Sequence, residues 1–517
     1  METYDVVVLG GGSGSQVATA AANAGLTAAV CEPGPLGGAC ITRGCVPSKA
    51  LIHRADVCET IRRADRFGVD ADLVDVDYGA ITESIRRMVY EKADRQATAL
   101  DEAENVTRYV AVGRFVDDRT IALEYPGTAT SPDGVESPDA ASTASERAST
   151  VNDGEAVTDH DEIRGEQLVI AVGGRPIVPP IDGLDDVAYL TSDDALFLEE
   201  RPERLLIVGG GYIGVELGYF FGAIGVDVSL VGRSDVLLPA EDPDVSETVT
   251  AGLERHCAVY TGHDADAVTE SDGEITLTAD ADDSAVELVG DTLLLATGRR
   301  PNTDGLGLEE TAVRTDDAGH VETDRNLETD VDGVWALGDV VGDLPFKHVA
   351  DYEVEVVSAN VLATAGRPVG RAAAVPNTTE LESVAYDGIP HAIFTSPRVA
   401  SVGKTEDELR ADDGEYESTT VPYATAPLGL ILDERDAFVK VLAAPDGAIL
   451  GCHIVGPEAP TMIHEVAVAI RRARGHIEDI VETIHVHPAL NEVVLAAFDD
   501  LADRPLSTTP DWRDVDE

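Results

Sequence analysis

The stretch "YDVVVLGGGSGSQVATAAANAG", residues 4–25, joins a continuous β-branched run, a row of glycines and serines, and an alanine-rich helical pattern. An uninterrupted apolar run that ends in glycine reads as a parallel strand buried on both faces. Gly10, Gly12, Ser13 and Gly14 then fall where a backbone must turn tightly and let a pyrophosphate approach the N-terminus of a helix. A second strand, "TAAVCE", follows the helix and closes on Glu32. That places an acid about 20 residues past the turn, where a carboxylate can hold a ribose diol. Ser15 stands at the third-glycine position, as a small residue tolerated there.

The same pattern returns at residues 204–233, "RLLIVGGGYIGVELGYFFGAIGVDVSLVGR". Here Gly209, Gly211 and Gly214 complete G-x-G-x-x-G, with Tyr212 inside the turn. Gly232 occupies the acid position and Arg233 follows. A carboxylate there favours a free 2′-hydroxyl, whereas an arginine without it accepts a 2′-phosphate. The second site is therefore expected to prefer NADPH, with NADH possible. Two such units imply two dinucleotides, FAD in the first and a nicotinamide cofactor in the second. "LLLATGRRPN" (293–302) and "TDVDGVWALGDV" (329–340) each run a strand into a glycine turn, at Gly298–Arg299 and Gly338–Asp339. Asp339 is placed to accept a hydrogen bond from a flavin sugar chain.

Working outward, 517 residues suggest about three or four domains. Residues 1–185 are expected to form an FAD-binding domain interrupted by an acidic, Ser/Thr/Ala/Gly-rich insertion at 126–161. That insertion lacks the apolar content to bury a core. An NAD(P)-binding domain is expected over 186–302 and a return to the FAD or central domain over 303–375. From 376 to 502 the texture changes to strands and hairpins, including a Pro-Asp-Gly turn before "AILGCHIVG" and the amphipathic "TMIHEVAVAIRRA". This predicts a separate α+β interface domain, followed by an acidic tail at 503–517. The fold class is thus α/β, with two Rossmann-like domains and a C-terminal α+β dimerisation domain.

Asp and Glu number 97 against 37 Lys and Arg, a formal charge of −60, and only five of the basic residues are lysine. Such a surface repels nucleic acid and anionic lipid and suits a salt-saturated cytoplasm. The N-terminus has no basic segment before its apolar run, so no signal peptide is expected. The apolar stretch Leu205–Val231 is long enough to imitate a membrane span. It carries Glu216 and Asp227, however, and orders its glycines for a nucleotide, so it is read as part of a globular, cytoplasmic protein.

Six cysteines are too few for a secreted disulfide scaffold. Cys31, Cys58, Cys257 and Cys452 stand alone and read as small buried residues. Cys40 and Cys45 are different, lying five positions apart in "GGACITRGCVPSK" (37–49). A metal half-site, two unrelated thiols and a redox pair all compete for this stretch. A regular helix holds such positions roughly 8–9 Å apart, from its rise and radius. A disulfide tolerates at most about 7 Å between Cα atoms. The two can bond only across a distorted turn, which Gly44 permits. Pro47 suits the first turn of a following helix, whose N-terminus would stabilise a thiolate. No second pair of ligands stands at zinc spacing, so a metal is not expected. The redox pair is the reading that remains.

With these residues in hand, the chain resembles the FAD-dependent pyridine nucleotide–disulfide oxidoreductases, which include dihydrolipoamide dehydrogenase, glutathione reductase and mercuric reductase. The G-G-x-C-x4-G-C-x-P-S-K pattern, both glycine turns, "ALGD" and "HVHPALNE" (485–492) stand in family order over nearly the whole chain. The resemblance implies a homodimer in which His487, paired with Glu492, is the acid–base group donated across the interface. It implies that Cys45 faces the flavin and that Cys40 is the interchange thiol attacking a substrate disulfide. Lys49, paired with Glu216, resembles the lysine near the flavin, and Tyr212 the aromatic covering the nicotinamide pocket. Gly38, Ala39, Gly173 and His348 complete the expected FAD contacts, and Gly298 with Arg299 those to NAD(P).

Substrate follows less directly. Mercuric reductases carry a cysteine pair near the C-terminus, and "LADRPLSTTPDWRDVDE" has none. Dihydrolipoamide dehydrogenases usually keep the acid that is Gly232 here. The expected activity is therefore NADPH-dependent reduction of a small thiol disulfide. Bis-γ-glutamylcystine is the leading candidate, because γ-glutamylcysteine is the thiol of salt-loving archaea. NAD-linked reoxidation of dihydrolipoyl groups is the alternative. A mercuric reductase-like protein, a redox-silent flavoprotein, and an oxygen-reducing or hydride-shuttling member fit less well with Cys40, Cys45 and His487 all present.

Overall fold

The computed structural model describes residues 1–126, 161–281, 284–342, 344–367 and 381–502. All but the end residues of the expected insertion at 126–161, the boundary at 375/376 and the expected tail at 503–517 lie outside them. The chain divides into two compact units. Unit 1 holds residues 1–42, 90–175 and 300–384, and unit 2 holds 43–89, 176–299 and 385–517.

In unit 1 the strand Glu2–Leu9 pairs in parallel with Ala28–Cys31 on one side and Asp161–Ile170 on the other. Val106–Tyr109 extends the sheet beyond Ala28–Cys31. Asp161–Ile170 also pairs antiparallel with Thr120–Glu124 and parallel with Val334–Ala336. The apolar run at the N-terminus is continuous because each face of its strand has a core. Val6 and Val8 pack with Val17, Ala18 and Trp335, while Val7 and Leu9 pack with Phe115, Leu168 and Ile170.

Unit 2 contains the second nucleotide-type sheet. Its parallel strands run in the order Ala258–Thr261, Asp227–Gly232, Arg204–Val208 and Thr292–Leu295. The apolar stretch Leu205–Val231 is thus strand, turn, the 12-residue helix Tyr212–Ala223, and strand. No described helix is long and apolar enough to cross a membrane.

The C-terminal part of unit 2 is a five-stranded antiparallel sheet. Phe438–Ala443 and Ile449–Val455 form its central hairpin. Against it lie the helices Ala459–Arg472, Ile477–Val481 and Asn491–Leu501, which bury Met462, Ile463, Val466, Val493 and Phe498. Lys440, inside this hairpin, is buried among Asp242 at 2.8 Å, Asp244 at 2.9 Å and Glu406 at 2.7 Å. Burial alone would push its ammonium down. The hydrogen bonds to Asp242, Glu406 and Asp244 override that and hold it above the usual lysine range. Three donors meet three carboxylates, so the buried charge is satisfied.

Candidate active site

Gly10 ends the first strand at φ +106, and a Cβ there would lie 2.2 Å from the carbonyl of Ala171. Conformation and packing both demand glycine. Gly12 is otherwise. It has no left-handed φ, and an added Cβ would meet only the Gly38 backbone, at an ordinary 3.5–3.9 Å. The protein's own atoms do not require a bare backbone at Gly12, whereas a pyrophosphate does. Gly14 begins the helix Gly14–Asn23, and its Cβ would meet Ala171 Cβ at 2.6 Å and Val8 at 2.9 Å. The close helix–strand approach in this turn therefore falls on Gly14. Ser15 sits one residue further along the helix, with its hydroxyl donating to the Gly12 carbonyl at 2.8 Å.

Glu32 turns its carboxylate back onto this loop. Oε2 accepts from the Gly11 amide at 2.7 Å and Oε1 from the Gly34 amide at 3.0 Å. Each oxygen keeps a lone pair for a further donor, which suits a ribose diol. Of the other expected FAD contacts, all but Lys49 also belong to unit 1. Gly38 and Ala39 open the short helix Gly38–Thr42. Gly173 has φ +66 with open space where a Cβ would be. Gly338 precedes Asp339 at φ +78, and its amide donates to the buried carboxylate of Glu353 at 2.6 Å. His348 is exposed and stacks on Phe346 with ring centres 5.6 Å apart. Sequence reasoning missed Glu353, which lies inside a helix and belongs to no local pattern. These residues fit an FAD, with glycine backbones bared at its pyrophosphate and a carboxylate at its ribose.

The second turn repeats the first with one omission. Gly209 has φ +127, and its Cβ would lie 2.2 Å from the Ala296 carbonyl. Gly211 is extended, with nothing within 4 Å of its Cβ position, so here too the bare backbone is not required by the protein. Gly214 would bring a Cβ within 2.0 Å of the Gly209 carbonyl. Gly232 faces Gly210 as Glu32 faces Gly11, but without a side chain. Arg233 beside it is exposed, as is Tyr212. Gly298 has φ +107, and the Arg299 guanidinium lies 3.8 Å from Asp193.

Cys45 is the first residue of the 18-residue helix Cys45–Arg62, which places Pro47 in its first turn. The helix Gly38–Thr42 that carries Cys40 ends before Arg43 and Gly44, so the spacing is not one continuous helix. Arg43 reaches Asp193 at 3.1 Å. Burial raises the Asp193 carboxyl, opposed by Arg43 and Arg299. One turn into the Cys45 helix, Lys49 contacts Glu216 at 2.5 Å and lies 4.9 Å from the centre of the Phe394 ring. Glu216 is buried and also accepts from the Phe394 amide at 3.0 Å. The four solitary cysteines are buried as expected. Burial pushes the Cys31 and Cys257 thiols up to about 12 and also raises those of Cys58 and Cys452.

His487 lies on the connection between the last two helices, its side chain 68% exposed, with Nδ1 2.8 Å from Glu492. The other oxygen of Glu492 accepts from the Ala489 amide at 3.0 Å, which holds the carboxylate toward the ring. Elsewhere in unit 2 a cleft of about 1230 Å³ gathers six arginines, Arg62, Arg63, Arg66, Arg255, Arg398 and Arg435. Each is paired with a carboxylate of the same cleft, Asp433 serving both Arg66 and Arg435, so most of its charge is met internally. None of the site residues named above lines it. No cluster of metal-type ligands occurs among the described residues.

Residues 4–358 match the pyridine nucleotide–disulphide oxidoreductase family, and residues 389–498 match its dimerisation domain. Among curated proteins, a dihydrolipoyl dehydrogenase of Bacillus subtilis is 32% identical, covering 95% of this chain and 96% of the relative. A dihydrolipoyl dehydrogenase of Haloarcula marismortui is 34% identical over 95% of both. Among solved structures, the Cu(II) complex of the HOCl-induced flavoprotein disulfide reductase RclA of Escherichia coli superposes with a TM-score of 0.78. It shares 23% identity and spans 96% of this chain and 99% of its own, a likeness of fold. With both family matches in sequence order, the chain belongs to the FAD- and pyridine nucleotide-dependent disulphide oxidoreductases and carries their homodimerisation domain.

Proposed function

We propose that the chain reduces a small thiol disulfide, with bis-γ-glutamylcystine as the leading candidate substrate and NADPH as preferred donor. The observation that carries this reading is Gly232 facing Gly210, a ribose site without a carboxylate, with Arg233 exposed beside it. The net reaction takes NADPH, a proton and a disulfide to NADP⁺ and two thiols. FAD, when bound, supplies the two-electron passage from the nicotinamide to the Cys40–Cys45 disulfide.

The chain's own residues do the rest. The Cys40 thiolate attacks one sulfur of the substrate, forming a mixed disulfide and releasing the first thiolate. His487 gives that thiolate a proton, and histidine titrates close enough to neutrality to regain it. Cys45 then attacks the Cys40 sulfur, which re-forms their disulfide and releases the second thiol. Glu492 on Nδ1 fixes the tautomer and stabilises the imidazolium. Glu216 orients the Lys49 ammonium. Ile484 and Val486, next to His487, are 96% and 75% exposed, which suits a loop covered by the second subunit. Residues 1–185 with 303–375 would serve FAD, 186–302 the nicotinamide, and 376–502 the interface. A dithiol re-reduced at each turnover belongs in a reducing cytoplasm.

Steady-state rates in molar salt test the reading, pairing NADPH or NADH with bis-γ-glutamylcystine, oxidised glutathione and lipoamide. The highest kcat/KM should fall on NADPH with bis-γ-glutamylcystine. The names of the relatives support a second reading, dihydrolipoyl dehydrogenase, which predicts NADH and lipoamide instead. The shared site has its own test. Cys40→Ser and His487→Ala homodimers should be inactive. A mixed dimer should recover about half the wild-type rate, one of its two symmetric sites being whole. Recovery no better than the unmixed variants would put His487 in its own subunit's site.

A further inference from the structure

Glu465 lies in the middle of the helix Ala459–Arg472 and is assigned no role above. Its Oε2 meets His485 Nε2 at 2.9 Å, and its Oε1 accepts from Asn491 Nδ2 at 2.7 Å. His485 precedes His487 by two residues and Asn491 follows it by four. One carboxylate from a separate helix thus grips the His487 segment on both sides. The His485 ring is 6% exposed, and its Nδ1 faces the Thr483 carbonyl at 3.0 Å, so both ring nitrogens meet acceptors.

Leu490 seats the far end of this connection in the core. Ile484 and Val486 are exposed, so the polar contacts of His485 fix the chain just before His487. Glu492 orients the His487 ring from the first turn of the next helix, which buries Val493 and Phe498. Glu465 anchors the segment from a separate helix, on the side where Ile484 and Val486 are exposed.

We propose that Glu465 is a positioning residue for the acid–base histidine, setting where His487 stands relative to the thiols it protonates. This rests on the reading of His487 given under Proposed function. A group about 1 Å out of place can cost up to about 100-fold in rate, so the contribution is kinetic rather than global.

Three homodimeric variants, Glu465→Ala, Glu465→Gln and His487→Ala, test it in molar salt. Glu465→Ala should lower kcat for the disulfide about 10- to 100-fold. Its KM for the nicotinamide, FAD content and dimer mass should stay unchanged. Its transfer of electrons from NADPH to ferricyanide should also persist, because ferricyanide leaves no thiolate to protonate. Glu465→Gln should recover most of the disulfide rate, since an amide can accept from Asn491 and donate to His485. If ferricyanide reduction and FAD content fall in parallel with disulfide turnover, Glu465 is merely structural and the proposal is overturned. Full disulfide turnover in Glu465→Ala beside an inactive His487→Ala also overturns it, while sparing the reading of His487. A fully active His487→Ala removes that reading itself, and the proposal with it.

Discussion

The two glycine turns are built to one backbone plan and differ at the side chain that faces the second glycine. Gly10 and Gly209 both have positive φ and both would bring a Cβ within 2.2 Å of a carbonyl on the neighbouring strand. Gly12 and Gly211 are both bare without needing to be. Opposite Gly11, however, stands Glu32, with both oxygens on backbone amides, and opposite Gly210 stands Gly232. Shared features mark what any dinucleotide pyrophosphate demands of a backbone. On the proposed reading the difference falls where a ribose would sit, which is where one dinucleotide is told from another.

The largest expected effect comes from breaking the plan in one turn only. Gly209→Ala sets a methyl against the Ala296 carbonyl in a conformation that side chains rarely adopt. Pyridine nucleotide affinity should fall at least about 100-fold, or ~2.7 kcal/mol, while bound FAD remains. Gly10→Ala should do the reverse and yield protein without flavin. Equilibrium dialysis for the nicotinamide and flavin absorbance for FAD would read the two. Loss of both cofactors in either variant would mean that the turns are not independent.

The comparison sharpens if the missing carboxylate is restored. A Cβ at Gly232 would meet Gly210 at 3.5–3.6 Å and Leu237 at 3.7 Å, ordinary contacts, so Gly232→Glu should fit. The ratio of kcat/KM for NADH to that for NADPH should rise about tenfold or more, since a ribose 2′-hydroxyl gains an acceptor worth ~1.5 kcal/mol or more. An unchanged ratio would show that this position does not read the ribose.

How much of this was legible in the sequence depends on how far apart the partners lie. A strand, a glycine turn and a helix are contiguous, and each glycine answers a local backbone demand, so both turns and the Cys40–Cys45 stretch stand out. The close packing that requires Gly14 was not legible, because it depends on Ala171 and Val8, and Ala171 lies more than 150 residues away in sequence. Glu353 under Gly338, the carboxylates around Lys440, and Glu465 behind His487 were hidden for the same reason. Each is a single acid on a helix or loop, and in a chain with 97 acids nothing local distinguishes it.

The smallest effect belongs to Arg233. It is exposed, so its attraction for a 2′-phosphate acts through water and is screened by the molar salt in which such an acidic chain works. Exposed pairs contribute up to about 1 kcal/mol, roughly a fivefold change in affinity. Nor has the arginine a second cation six positions on, where Pro239 stands. Arg233→Ala should therefore raise KM for NADPH by about fivefold or less and leave that for NADH unchanged. Lowering the salt should widen the NADPH effect in the wild type and leave the variant flat, because only the wild type has a guanidinium to unscreen. Equal losses with both cofactors would make Arg233 a structural residue. NADPH selectivity would then rest on the bare ribose site at Gly232 alone, where no carboxylate is present to repel a 2′-phosphate.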